Sequence, residues 1–87
     1  MDLDPNEMAK VINRLKRAQG QLAGVVRMLE EGRDCEDVVM QVSAVSRALD
    51  KAGFAIIATG MKQCLAAADG AQTPDVQRLE KMFLSLA

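Results

Sequence analysis

Residues 35–64, CEDVVMQVSAVSRALDKAGFAIIATGMKQC, decide the fold. The stretch holds no proline, and its apolar residues Val38, Val39, Val42, Val45, Leu49, Ala52, Ile56 and Ile57 return with a helical rather than a strand period. One long amphipathic helix is predicted, over about 35–68. It carries the chain's only two cysteines, Cys35 and Cys64, one near each end. At the standard rise, a separation of 29 positions puts their backbones ~43 Å apart, so they cannot touch within one chain. The same number of ~100° steps returns to within ~20° of the starting direction, so both thiols leave one face. A second copy laid antiparallel would bring Cys35 beside Cys64 of its partner twice, about a two-fold axis near Leu49 and Asp50. The competing reading is that both are small buried core residues, as unpaired cysteines often are.

Working outward, Asp4, Pro5 and Glu7 read as an N-cap, a first helical residue and a capping-box partner, so a helix is expected over about 5–31. Met8, Val11, Ile12, Leu15, Ala18, Leu22, Val25 and Leu29 keep its period, and Gly32 suits a left-handed C-terminal cap. Gly20 and Gly24 share a face and each cost about 1 kcal/mol against alanine unless something approaches closely. Asp34 can cap the long helix, and the short connection makes the two helices antiparallel neighbours. Asp69 and Gly70 end the second helix, Ala71 and Gln72 form a loop, and Thr73 and Pro74 open a third, short helix over about 74–86. The fold class is therefore all-α. A long antiparallel hairpin plus a short third helix is expected to form an antiparallel four-helix-bundle dimer, with the third helix free to join dimers into a tetramer.

The composition agrees with a single domain over 1–87 that is too small and elongated to bury a good core alone. There is no histidine, tryptophan or tyrosine, and Phe54 and Phe83 are the only aromatic residues. Of the function classes weighed, a thiol enzyme fits worst, since no histidine can act as base and no third group orients a nucleophile. No apolar run has membrane-spanning length, and Met1 to Pro5 lack the basic and apolar parts of a signal peptide, so a cytoplasmic protein is expected. Its two thiols are then more readily reactive or liganding than a structural disulfide.

The net charge of -1 hides segregation. Lys10, Arg14, Lys16, Arg17 and Arg27 lie between residues 10 and 29 with no acidic residue among them. Lys10, Arg14 and Arg17 fall within one ~60° stripe, Asn13, Gln19 and Gln21 lie nearby, Arg47 and Lys51 of the second helix can extend the patch, and Lys16 is grouped with it as a candidate DNA-binding residue. Such a stripe is either a phosphate-binding surface or simply a solvated helix face. Helix-turn-helix spacing, zinc-finger spacing and an aromatic platform are all lacking.

The strings INRLKRAQGQLAGVVRMLEEGRDCEDVVMQVSAVSRALDKA (12–52) and GMKQC (60–64) resemble the copper-sensitive operon repressor family, CsoR with its nickel-, formaldehyde- and persulfide-sensing relatives. The similarity covers roughly residues 8–86. It implies a tetrameric, all-helical repressor of double-stranded operator DNA that is released when an inducer occupies a cross-subunit site. By position, Arg14 and Lys51 match the family's principal DNA-contacting residues, with Arg17 beside them, and Cys35 and Cys64 match its sensing cysteines. Copper-sensing members carry H-x-x-x-C, where this chain has Gly60-Met61-Lys62-Gln63-Cys64. Nickel and cobalt sensing want several imidazoles and are excluded. The formaldehyde-sensing branch needs a proline after the initiator methionine and the same histidine, where this chain has Asp2 and Gly60. The pattern left is that of the persulfide-sensing, CstR-like branch, in which Cys35 and Cys64 of the neighbour become linked by a di-, tri- or tetrasulfide. In that reading Gly60 leaves room for the added sulfur, and no cofactor is needed. The alternative is a Cu(I)-responsive repressor that holds the ion between the two thiolates.

Overall fold

The fold is described from a computed structural model, in which residues 2–67 and 74–87 are placed. A 3-10 turn, Pro5–Met8, leads into α1 (Ala9–Glu30); α2 (Cys35–Ala67) and α3 (Pro74–Leu86) follow. Among the described residues there is no strand. The readings that placed a helix end and a loop on Ala68 to Thr73 lie outside the described residues.

Local chemistry sets each boundary. Asp4 Oδ1 accepts from the Asn6 N–H at 2.9 Å, and the Glu7 N–H donates to the Asp4 carbonyl at 3.0 Å. With Pro5 at the start, this closes a tight 3-10 turn before the α-helix proper begins at Ala9, four residues later than the sequence reading. Gly32 sits at φ +68°, and the Arg33 N–H reaches the Met28 carbonyl at 3.0 Å while the Gly32 N–H reaches Leu29 at 3.2 Å, a Schellman-type stop. Two residues later Asp34 Oδ2 accepts from the Glu36 and Asp37 N–H groups at 3.1 and 3.4 Å, capping α2.

α1 and α2 pack through two apolar clusters. Val25, Val38 and Val45 with Met28 lie at the closed end of the hairpin, and Met8, Val11 and Ala52 with Leu15, Ala55 and Ile56 at the open end. The protomer measures 54 × 25 × 13 Å and its radius of gyration is 16.7 Å, against ~12 Å for a compact chain of this length. It is a slab one to two helices thick. Much apolar surface stays uncovered in consequence, including Ile12, Leu22 and Val26 on α1 and Val39, Val42 and Leu49 on α2.

The third helix is not spare. It folds back along the C-terminal half of α2, where Phe83 meets Phe54 edge-on with centroids 5.2 Å apart and Val76 and Leu79 are buried. A β-carbon at Gly53 would stand 3.0 Å from Leu86 Cδ1, so this glycine permits a close approach of α3 of its own chain. Gly20 and Gly24 meet nothing within 4 Å in the protomer. Among the described residues, no helix is long and apolar enough to cross a membrane.

Candidate nucleic-acid interface and sensing thiols

Arg14 and Arg17 from α1 and Arg47 and Lys51 from α2 line one groove between the two helices, with Gln21 beside them and Ala44 and Ala48 in its wall. All four cations are exposed, and no carboxylate among the described residues pairs with any of them. The groove exists because Ala44 and Ala48 are small where α1 crosses α2, leaving the long basic side chains to stand as walls. Sequence spacing named the cations but missed these alanines, whose signal is a pair of small residues four apart beside Arg47 and Lys51.

Two of the basic residues grouped with the patch lie elsewhere. Lys10 borders a neighbouring groove of mixed charge with Asp4, Glu7 and Lys62. Lys16 lies across α1, beside Ile12, Leu22 and Leu49 on the apolar side. Two positions separate Lys16 from Arg14, so the helix turns it ~200° away. The basic groove and the uncovered apolar face therefore occupy opposite sides of the hairpin. On α2, Arg47 and Lys51 lie about 140–180° round from Val42 and Leu49.

Cys35 is exposed at the first turn of α2, and Cys64 is half-buried near its other end. Within one protomer they stay a rod's length apart, as the spacing requires. The face they share is not bare, however. Gly53 and Gly60 lie on it, and α3 covers it there through Leu86 and Leu79. A copy brought to Cys64 must meet α2 and α3 together. The gap expected at Gly60 is also closed within the protomer, because a β-carbon there would lie 3.4 Å from Leu3 Cδ2 and 3.6 Å from Leu79 Cδ2. Neither leucine was named as a site residue from the sequence, and only the fold brings the two ends of the chain to this glycine. Among the described residues, no three His, Cys, Asp or Glu side chains of the protomer are grouped to hold a metal ion.

The profile of the metal-sensitive transcriptional repressor family matches residues 7–85. The chain belongs to this family. It is a family of transcriptional regulators rather than enzymes. The copper-sensing transcriptional repressor CsoR of Mycobacterium ulcerans is 42% identical over 57 residues, covering 66% of this chain and 49% of the relative. CsoR of Bacillus subtilis is 36% identical over 60 residues, covering 69% of this chain and 59% of its own. The match thus spans about half the length of the mycobacterial relative. Among solved structures, the nickel-responsive transcriptional regulator InrS superposes with a TM-score of 0.74 at 31% identity, covering 100% of this chain and 98% of that one. The three-helix protomer is therefore that of a metal-sensitive repressor, reached without any histidine.

Proposed function

We propose that this metal-sensitive repressor family member binds operator DNA through the groove of Arg14, Arg17, Arg47 and Lys51, and that a dithiol formed by Cys35 and Cys64 of two subunits controls that binding. The observation that carries the reading is the sidedness of the hairpin. Four unpaired cations line one side and the uncovered apolar residues lie on the other, so a dimer formed through Ile12, Leu22, Val39, Val42 and Leu49 would leave the basic groove open to phosphate. The antiparallel dimer, and a tetramer made from it, supply the second thiol of each pair.

The inducer proposed is a persulfide or polysulfide. The Cys35 thiolate attacks the outer sulfur of a persulfide RSSH, taking that sulfur and releasing the thiol RSH. Cys64 of the neighbour then attacks the inner sulfur of the Cys35 persulfide, forming a disulfide and expelling hydrosulfide. The two protein thiols are oxidised by two electrons and the transferred sulfur is reduced. If Cys64 has itself been persulfidated, the same attack leaves a trisulfide. This choice is supported by a donor set of two sulfurs and no imidazole. A second reading, a Cu(I)-responsive repressor with a two-thiolate site, is favoured by the copper-sensing relatives.

One experiment separates them. Reduced protein is exposed in parallel to polysulfide, hydrogen peroxide and Cu(I), the mass of each product is recorded, and affinity for the upstream DNA is measured. Release by the covalently bridged dimer alone supports sulfur sensing, and release by Cu(I) alone supports the second reading. Undiminished DNA binding by the bridged form disposes of the dithiol switch.

A further inference from the structure

Three elements that are far apart in sequence converge on Gly60. It is the one glycine among the described residues that is buried, and Leu3 reaches it from the N-terminal segment while Leu79 reaches it from α3. Leu79 is itself buried, and Leu3 is delivered by the Asp4-capped turn that anchors Met8 in the hairpin core. Gly60 precedes Cys64 by one turn on the same face of α2, so whatever stands over the glycine stands beside the thiol. Both side chains there are hydrocarbon and offer a ligand no donor atom. The distances of 3.4 and 3.6 Å are ordinary van der Waals contact, so an alanine fits, but anything longer must displace leucine methyls.

Resting on the dithiol reading above, we propose that Leu3 and Leu79 are specificity residues of the sensing thiol, closing its Gly60 flank so that Cys64 shares an inducer with one other sulfur and with no third donor. An inducer that is satisfied by two sulfurs is admitted, whether sulfane sulfur or linear Cu(I). An ion that needs three or four donors, such as nickel, is refused. The Gly60 flank of Cys64 therefore offers no ligand to a three-ligand metal centre.

The test uses Cu(I) as the probe and imidazole as an external third donor, on the reduced full-length protein under anaerobic conditions. Wild type, Leu3→Ala and Gly60→Ala are compared by X-ray absorption and by competition titration. Leu3 is partly exposed, so its truncation spares the fold, and a thermal melt verifies this. Wild type and Gly60→Ala are expected to show two sulfur scatterers and an affinity indifferent to imidazole. Leu3→Ala should gain a nitrogen scatterer and bind about tenfold tighter when imidazole is present. Uptake of imidazole by the wild type, or indifference of Leu3→Ala, overturns the proposal. A second readout needs no metal: in a Cys35→Ser background, alkylation of Cys64 by 4-vinylpyridine should accelerate several-fold on Leu3→Ala, and an unchanged rate overturns the proposal equally. Failure of the dithiol reading shows separately, as Cys35→Ser protein binding Cu(I) as tightly as wild type.

Discussion

Removing Lys51 tests the groove quantitatively. If each groove neutralises four phosphates, counterion release predicts a log–log salt slope of about -3.6 per groove, and about -7 for a duplex that engages two grooves. Lys51→Ala removes one contact from each, so the slope should fall to about -5.4. Each contact is worth about 0.7 log units at ~0.15 M salt, so affinity should drop roughly 20- to 30-fold there and much less near 1 M. Arg14→Ala should do the same, and the double variant should lose both increments. Lys16→Ala is the control, since it removes an identical charge from the other side of α1. Fluorescence anisotropy on labelled upstream DNA, titrated from low to high salt, measures all of these. Equal slope changes for Lys16→Ala and Lys51→Ala would show that DNA senses only overall charge, and the groove would lose its role.

Cys35→Ser and Cys64→Ser proteins should each fail to give a bridged dimer with polysulfide when alone, yet give one singly bridged dimer when mixed; mass spectrometry after non-reducing separation reads this directly. Phe83→Ala should destabilise the protomer by about 1–2 kcal/mol rather than the 3–5 of a fully buried phenylalanine, because the ring is partly exposed although it packs on Phe54; a denaturant melt checks it. Gly32→Ala should cost about 1 kcal/mol and Gly32→Asn less, since the residue sits at positive φ with open space around it. Val42→Glu on the uncovered face of α2 should shift the protein toward monomer in sedimentation without altering the helical circular dichroism per residue.

The parts of this fold legible in sequence are those written in neighbouring residues. Gly32 with Asp34, and Asp4 with Pro5, mark helix ends because capping is a matter of two or three positions. The length of α2 follows from a period sustained across Val38 to Ile57. The docking of α3 could not be read the same way. Val76, Leu79 and Phe83 announce an apolar stripe, but nothing local says whether it covers the chain's own α2 or another copy. Gly53 was the signal, since it is a glycine in a helix interior whose cost needs a reason, and Leu86, 3.0 Å from where its β-carbon would stand, supplies it. Lys16 was misgrouped for a different cause. Its angle around α1 already set it apart from Arg14, but counting charges along the chain hid that.

The proposed switch works because α2 is one rod that carries both functions. Its thiols lie near its two ends, and Arg47 and Lys51 lie near its middle on about the opposite side. A bond between Cys35 of one rod and Cys64 of another, formed twice, fixes the rotation of each rod about its own axis at both ends. A cation tip ~8 Å from that axis moves ~1.4 Å for every 10° of rotation. A phosphate contact made within ~3 Å does not survive a shift of that size intact. α1 is held to α2 by Val25–Val38–Val45 and by Met8–Val11–Ala52, so Arg14 and Arg17 would move with the rod rather than compensate for it. Loosening either cluster, for example by Val45→Ala, should therefore weaken inducer-driven release more than it weakens DNA binding by the reduced protein. The ratio of DNA affinities, reduced over bridged, is the quantity to measure; if it is unchanged in Val45→Ala, the two helices do not act as one body.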